Sequence, residues 1–452
     1  MQKLTTAGNA TIIAYDNSPI LATDPWIGDE DSAYFGSWIL NHKIPLELKK
    51  NISECKYIWF SHGHPDHLNS ISLERYKGNK ILLPDHVGAR IFNDLNNLGF
   101  NVEILPDRKW VTLSKNIKIQ CITTFIQDAV LLIDICGKLF INLNDSGARS
   151  CARYIRKISK NYKKSYVLGL SGYGDADMIN IYDEQDRIIL PYAATKPPVG
   201  TQLNYMAKIT GANNVIPFSS FHQYQRTDSI WAQEYSTPLE AYKIGIDEDL
   251  NFIEPFCTID CNSLFIEHYK PENLLIELKK PELFGDNYSD QLDANDLIKI
   301  KNYFSQKEKI NNNFKFLNFK IGGKDNFIWM NKKSQKGITF SLPRNSLMIA
   351  IEYRIFDDLL IGNFMKTTLH NCESLYEEDA NFTFNVTKFG DNGMVETNDE
   401  IDKYLQIYKK RAGIEYVIDL FEDKSRNFLT RFIATDSMTY QKIKSIYNSL
   451  KF

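Results

Sequence analysis

The chain has 452 residues, of which 43% are hydrophobic, and this is enough apolar material to fill at least two cores. We therefore expect an N-terminal domain over residues 1–245 and a C-terminal α+β domain over residues 246–452. The formal net charge is −3 and no block of lysine or arginine stands out, which argues against nucleic acid and anionic membranes as partners.

The N-terminus lacks the apolar stretch of a secretory signal, and no apolar run is long enough to cross a bilayer. The seven cysteines are odd in number and scattered, which is not the pattern of a disulfide framework. We therefore expect a soluble, cytoplasmic protein with reduced cysteines.

Short apolar runs alternate with amphipathic segments between residues 11 and 245, which indicates a mixed α/β domain. Strands are predicted at 11–15, 20–22, 57–60, 80–83, 102–105, 117–123, 130–135, 139–142 and 166–168. Helices are predicted at 87–98, 148–159 and 201–210, the last ended by Gly211. The succession of strands between residues 102 and 143 argues against a purely parallel sheet, so we expect two mixed sheets packed face to face with helices outside.

The end of the predicted strand 57–60 carries an unusual concentration of metal-binding side chains. Four of them fall within six consecutive positions: His62, His64, Asp66 and His67. Gly63 and Pro65 prevent the strand from continuing, so these side chains fall on a turn. The first two histidines can converge on one ion, and Asp66 with His67 can reach a second. The alternatives are structural histidines, or Asp66 acting as the cap of the following helix.

Later strands offer partners for such a dinuclear centre. Asp145 comes shortly after the strand at 139–142 and is well placed to bridge two ions, and the strand that begins at Asn214 is predicted to finish in His222. With these two residues the candidate ligands number six.

This pattern, His62-x-His64-x-Asp66-His67, then Asn144-Asp145, then His222, resembles the metallo-β-lactamase superfamily over roughly the first 245 residues. The resemblance implies an αβ/βα sandwich of two mixed sheets with two metal ions at one edge, followed here by the C-terminal α+β domain. It also implies that Asp24, after an early strand, supports the site without binding metal.

One position departs from the superfamily, which normally places a further histidine before the bridging aspartate. This chain has Gln127-Asp128 there, and Asp128 is the natural substitute ligand, although a turn carboxylate facing water is the alternative. A carboxylate in place of an imidazole favours iron or manganese over zinc. The site then resembles the di-iron oxygenases of the superfamily, and the segments around 140–145 and 216–235 are similar to the oxygenase domain of CMP-N-acetylneuraminate hydroxylases.

Two reactions are compatible with this resemblance. In the slightly favoured one, two ferrous ions bridged by Asp145 bind dioxygen and the enzyme hydroxylates a small molecule. The chain shows no Rieske ligand set, so an external electron donor is expected. In the alternative, zinc or manganese ions share a hydroxide, oriented by Asp66, that attacks a phosphodiester, ester or lactone. A metal-binding scaffold without turnover is a third, less favoured interpretation.

The substrate is expected to be an anionic small molecule similar to a nucleotide sugar. Lys196, Tyr224 and Arg226 are the candidate substrate-binding residues, because they follow or precede the predicted ligand strand and two of them are cations. Arg226 has the alternative of a surface or interdomain ion pair. The glycine-bearing loop 171–177 is expected near the mouth of the site. The C-terminal domain is expected to cover the pocket or to mediate assembly of a homo-oligomer.

Overall fold

The computed structural model describes residues 1–169, 178–191, 194, 198–377 and 380–419. In chain order, its strands are β1 (Gln2–Gly8), β2 (Thr11–Asp16), β3 (Ser18–Thr23), β4 (Trp38–Leu40), β5 (Tyr57–Trp59), β6 (Lys80–Pro84), β7 (Asn101–Leu105), β8 (Trp110–Thr112), β9 (Ile117–Thr123), β10 (Ala129–Ile135), β11 (Lys138–Asn144), β12 (Ser165–Gly169), β13 (Ile181–Tyr182), β14 (Asn214–Pro217), β15 (His222–Tyr224), β16 (Asn251–Phe252), β17 (Cys257–Asp260), β18 (Ile266–His268), β19 (Phe316–Ile321), β20 (Lys324–Trp329), β21 (Gly337–Ser341) and β22 (Lys366–His370). Its α-helices are α1 (Leu46–Ser53), α2 (Ser70–Leu73), α3 (Arg90–Asn97), α4 (Ala152–Ser159), α5 (Val199–Thr210), α6 (Ala294–Ser305), α7 (Glu308–Asn313), α8 (Arg344–Tyr353), α9 (Phe356–Ile361) and α10 (Asn398–Ala412).

Two mixed sheets form the N-terminal sandwich. The first has eight strands in the order β18-β17-β1-β2-β3-β5-β6-β7, and the second has seven in the order β16-β14-β12-β11-β10-β9-β8. In each sheet, antiparallel neighbours on one side give way to parallel neighbours on the other. The two mixed sheets predicted from the sequence are therefore confirmed.

Strand β10 shows why the sheets stack. All seven of its residues are buried, and side chains alternate between the two faces of a strand. Leu131 and Ile133 join the core between the two sheets, whereas Val130 and Leu132 join the core on the outer face, beneath α4 and α5. The second sheet is thus covered on both faces at its centre.

Helix α5 ends where the sequence predicts. Gly211 follows its last residue with φ +72°, a left-handed conformation that glycine adopts at little cost, and this ends the helix. The predicted helices at 87–98 and 148–159 begin later, at Arg90 and Ala152, because turns occupy the residues before them.

The second core lies in the C-terminal unit, which we define as residues 294–377 and 380–419. Its five-stranded sheet has the order β13-β22-β21-β19-β20, so one strand, β13, comes from the N-terminal half of the chain. Conversely, β16, β17 and β18 follow residue 245 and pair with strands of the sandwich. The sandwich therefore extends past the predicted boundary at residue 245, because these short strands complete both of its sheets.

Among the described residues, no helix is both long and apolar enough to cross a membrane. All seven cysteines are free, and five of them are buried.

Candidate metal centre

Parallel pairing brings the ends of separate strands to one edge of the sandwich. Thr23 pairs with Trp59, so Asp24 and the turn that follows β5 leave the first sheet together. The Asp24 carboxylate accepts a 2.7 Å hydrogen bond from the backbone N–H of Ser61, which fixes the start of that turn. In the second sheet β11 ends at Asn144, so Asp145 leaves at the corresponding edge.

The turn itself is tight. The backbone N–H groups of His67 and Leu68 both donate to the carbonyl of His64, at 3.0 and 2.8 Å. The cap of the following helix α2 is Asn69, whose side chain accepts from the N–H groups of Ile71 and Ser72. Asp66 is therefore not the helix cap, and its carboxylate is available for the site.

Two groups of possible ligand atoms, each within 4.8 Å of one another, form where the sheets meet. The first group is His62, His64 and Asp145, and the second is Asp66, His67 and Asp145. His62 Nε2 and His64 Nδ1 lie 3.0 Å apart, and His67 Nε2 lies 3.1 Å from Asp145 Oδ2. Asp145 belongs to both groups, which is the arrangement expected of a bridging carboxylate.

The Asp66 carboxylate is held by two neighbours. Tyr34 donates its hydroxyl to one oxygen at 2.5 Å, and Asn9 donates its amide to the other at 3.2 Å. Burial, together with the charge of Asp66, raises the pKa of Tyr34 well above its ordinary value, so this phenol stays a hydrogen-bond donor.

His222 fits a metal ligand on independent grounds. It is buried and stacks on Trp38, with ring centroids 3.5 Å apart. Within the described part of the chain, neither of its ring nitrogens has a hydrogen-bond partner, and the same is true of Asp145 Oδ1. Unpartnered buried polar atoms are costly. Burial lowers the pKa of His222 to about 3, which keeps the imidazole neutral, the form that binds metal. These residues therefore fit a pair of metal ions.

Each histidine of the motif has a carboxylate beside its outer nitrogen. His67 Nδ1 lies 3.2 Å from Asp24, His64 Nε2 lies 2.9 Å from Asp357, and His62 Nδ1 lies 3.3 Å from Asp128. The expected supporting role of Asp24 agrees with this contact.

The orientation of Asp128 differs from the one expected of a metal ligand. Its Oδ1 faces Nδ1 of His62, not the Nε2 that faces His64, and it also accepts a 2.6 Å hydrogen bond from the N–H of Ala129. It is buried, so the alternative of a turn carboxylate facing water is wrong. Burial and the charge of Asp145 raise its pKa to about 7. Direct ligation by Asp128 stays a prediction.

A cavity of about 200 Å³ opens at the ligand cluster. Its lining residues are Tyr34, Trp38, His62, His64, Asp66, Ile126, Gln127, Asp128, Asp145, Ser220, His222, Ile361, Lys388 and Asn392. The last three of these residues, Ile361, Lys388 and Asn392, belong to the C-terminal unit, so this unit forms part of the cavity wall.

Two of the three predicted substrate-binding residues, Tyr224 and Arg226, lie away from the cavity. Tyr224 is fully buried and accepts a hydrogen bond from the side chain of Asn363. Arg226 is also fully buried, where it pairs with Asp228 and Asp286. Neither side chain lines the cavity, so the interpretation of both as substrate contacts is corrected, and Arg226 takes the alternative of an ion pair. Lys196 and the loop 171–177 lie outside the described residues.

Sequence reasoning expected the C-terminal domain to cover the pocket or to mediate assembly, but it did not identify Asp357 and Lys388 as neighbours of the ligand cluster. Asp357 and Lys388 form a 2.8 Å ion pair beside His64, although 293 residues separate Asp357 from that histidine. No local motif marks either residue. The available signal was the pair Asp357-Asp358 inside an otherwise apolar helix, since buried carboxylates need a partner or a function.

No family model matches the chain. Among curated proteins, it is similar to the inactive cytidine monophosphate-N-acetylneuraminic acid hydroxylase of Homo sapiens, with 24% identity over 159 residues that cover 33% of this chain and 31% of that protein. The chain thus matches about a third of the length of this relative.

Among solved structures, the chain is similar to the metallo hydrolase Igni18 of Ignicoccus hospitalis KIN4/I, with 16% identity, a TM-score of 0.38 and coverage of 60% of this chain and 99% of the other. It is also similar to the diiron β-hydroxylase CmlA of Streptomyces venezuelae, with 14% identity, a TM-score of 0.35 and coverage of 55% and 48%. The mixed α/β sandwich with candidate ligands at one edge agrees with the metallo-β-lactamase fold predicted from the motifs.

Proposed function

We propose that the chain is a metal-dependent enzyme with a dinuclear centre, and that it hydroxylates an anionic small molecule with electrons from an external donor. The observation that carries the proposal is the pair of ligand groups that share Asp145. The similarity in sequence to the cytidine monophosphate-N-acetylneuraminic acid hydroxylase of Pongo pygmaeus, with 24% identity over 159 residues, supports hydroxylation over other reactions of such centres.

The ligand residues divide between two ions. His62 and His64 would hold one ion, Asp66, His67 and His222 would hold the other, and Asp145 would contact both. When bound, the ions supply Lewis acidity and, as iron, the redox chemistry that activates dioxygen. The two groups give this assignment for every residue except His222, which is added because it lines the cavity and both of its buried ring nitrogens lack a hydrogen-bond partner among the described residues.

The remaining cavity residues restrict what enters. Tyr34 and Asn9 hold both oxygens of Asp66, so this carboxylate keeps one orientation. Trp38 covers the face of His222, and Ile361 adds apolar wall, so these two side chains make part of the cavity apolar.

The position of Lys388 in the cavity supports the proposal that the substrate is anionic. It is the one lysine or arginine among the described residues that line the cavity. Its ammonium already pairs with Asp357, and its three donors leave capacity for an acidic group of a substrate. Cytidine monophosphate-N-acetylneuraminic acid, which the name of the relative supplies, is the first compound to test.

The decisive experiment is to purify the protein without oxygen, measure its metal content, and record its optical spectrum after exposure to air. About two iron ions per chain and absorption typical of an oxo-bridged pair are expected. With a chemical reductant, dioxygen and the test compound, mass spectrometry should then find one added oxygen atom. Protein that retains no iron and takes none up would contradict the proposal.

A metal-dependent hydrolase is the second candidate, and the position of Asp128 favours it. Because Asp128 faces the outer nitrogen of His62, the argument for iron from an additional carboxylate ligand is weakened, and a histidine-rich set suits zinc. Stoichiometric zinc in the purified protein, with hydrolysis of a chromogenic phosphodiester that a chelator abolishes, would establish this candidate in place of the first.

A further inference from the structure

The C-terminal unit contacts the candidate ligand His64 through Asp357. Asp357, on α9, places Oδ2 2.9 Å from Nε2 of His64; Asp357 is buried, and the side chain of His64 is 16% exposed. Helix α9 itself is anchored, because all six of its residues are buried and Phe356, Leu359 and Leu360 belong to the core of the C-terminal unit. The position of the carboxylate is therefore set by the packing of that core.

The ring orientation of His64 shows which of its nitrogens Asp357 contacts. Nδ1 of His64 faces the ligand cluster, 3.0 Å from Nε2 of His62, so Nε2 is the outer nitrogen. A carboxylate at the outer nitrogen accepts its N–H, fixes the tautomer and leaves the lone pair of the inner nitrogen for the metal. Asp24 stands in the same relation to His67.

Lys388 fixes the carboxylate in turn. Its Nζ lies 2.8 Å from the same oxygen of Asp357 that faces His64. The two partners on one oxygen leave the carboxylate little freedom to turn away, and the ammonium offsets the cost of burying its charge. Lys388 lies on the π-helix Phe384–Asn392, so two separate elements of the C-terminal unit build this support.

We propose that Asp357 is a positioning residue for the metal centre: it orients His64 as a ligand, and Lys388 holds it in place. The C-terminal unit therefore completes a metal site whose candidate ligands all precede residue 246. This inference rests on the dinuclear centre of the proposed function, and it holds for a hydroxylase and for a hydrolase alike.

The test is a titration of the metal-free full-length protein with Co²⁺ in competition with a chromogenic chelator. Loss of such a supporting carboxylate typically weakens metal binding about 10- to 100-fold, and this is the change expected for Asp357→Ala. The absorption bands of the bound Co²⁺ should also change, because the geometry of one ligand is lost. Lys388→Met should weaken binding in the same direction and by a smaller factor.

Two further variants separate positioning from stability. Asp357→Asn keeps the size of the side chain and an oxygen that can accept from His64, so it should fold and bind more tightly than Asp357→Ala. Asp296→Ala is the matched control, because Asp296 is a buried aspartate of the same unit that pairs with Arg344 at 2.6 Å and is not among the candidate ligands or the cavity lining. It should lower stability and leave the affinity for Co²⁺ unchanged.

The outcomes are distinguishable. A wild-type protein that binds no Co²⁺, Fe²⁺ or Zn²⁺ would overturn the proposed function together with this inference. A wild-type protein that binds two ions, with folded Asp357→Ala and Asp357→Asn variants of the same affinity and spectrum, would overturn the inference alone. Equal weakening by Asp357→Ala and Asp296→Ala would also overturn it, since the effect would then be one of stability.

Discussion

Replacing Arg226 should destabilise the protein, because its guanidinium joins the sandwich to the segments that follow it. It lies fully buried between Asp286, at 2.9 Å, and Asp228, at 2.8 Å, and donates to the carbonyl of Phe35. Its guanidinium carbon also lies 4.1 Å from the ring centroid of Phe364. We choose Arg226→Met, which keeps most of the apolar volume and removes the charge and the donors.

The expected loss of stability depends on the aspartate charges that lose their partner when Arg226 is replaced. Breaking a buried ion pair by removing one partner typically costs about 3–5 kcal/mol, since the other charge stays buried. Asp286 keeps its hydrogen bonds from the N–H and hydroxyl of Ser346, and Asp228 is partly exposed, so the lower end of that range applies. We therefore expect a loss of about 3 kcal/mol, or a decrease of about 1 M in the urea midpoint for an m-value of about 3 kcal/mol/M.

The assay is urea unfolding followed by tryptophan fluorescence, with Arg187→Met as the control. Arg187 pairs with Asp183 on the surface and is 75% exposed, so its removal should cost less than about 1 kcal/mol. The double variant with Asp286→Asn should recover part of the loss, because it removes the uncompensated charge. If Arg226→Met unfolds at the same urea concentration as wild type and instead raises KM, the residue binds substrate and our assignment is wrong.

Three more predictions concern the centre and the fold. His222→Ala should retain about one ion per chain instead of two, measured by elemental analysis after gel filtration; full retention would exclude His222 as a ligand. Burial lowers the pKa of His42 to about 4 from an ordinary value near 6.5. As the pH drops from 6.5 to 4, His42 therefore takes up a proton in the unfolded chain but not in the folded one. The free energy of unfolding should fall by up to about 3 kcal/mol over this range. Urea midpoints of His42→Gln should depend less on pH than those of wild type, and an equal dependence in both proteins would contradict this. Gly200→Ala would place a Cβ 2.5 Å from the carbonyl oxygen of Ile244, so its melting temperature should fall, at a cost of about 1–3 kcal/mol, whereas an unchanged value would refute the clash.

The residues that could be predicted are those whose signal is local. The motif from His62 to His67 lies in one turn, and Asp145 directly follows a strand that the apolar pattern marks. His222 differs from the prediction, because β14 ends at Pro217 and His222 begins the separate short strand β15, which pairs with β4. Because parallel strands end at a common edge, side chains at such ends come together without further information.

The features that could not be predicted depend on distant partners. Arg226 stands in a polar run, and only the fold shows that Asp286 neutralises it in the interior. Strands β16 to β18 have two to four residues each. Such short segments show no recognisable alternation of apolar and polar residues, so the sequence pattern did not distinguish them from loops or show how far the sandwich extends. The position of Asp128 beside the outer nitrogen of His62 likewise depends on side-chain orientation, which spacing along the chain does not contain.

The contact between His64 and Asp357 also couples metal binding to the packing of the C-terminal unit. If that contact strengthens metal binding about 10- to 100-fold, linkage requires that bound metal favour the packed arrangement by the same factor, or about 1.4–2.7 kcal/mol. Arg90 of the sandwich donates to the carbonyls of Arg354 and Asp391 in the same region, so the packed arrangement has support of its own. The metal centre and the C-terminal unit should therefore stabilise each other, because the metal centre contains the ligand His64 and the C-terminal unit contains Asp357, which orients it.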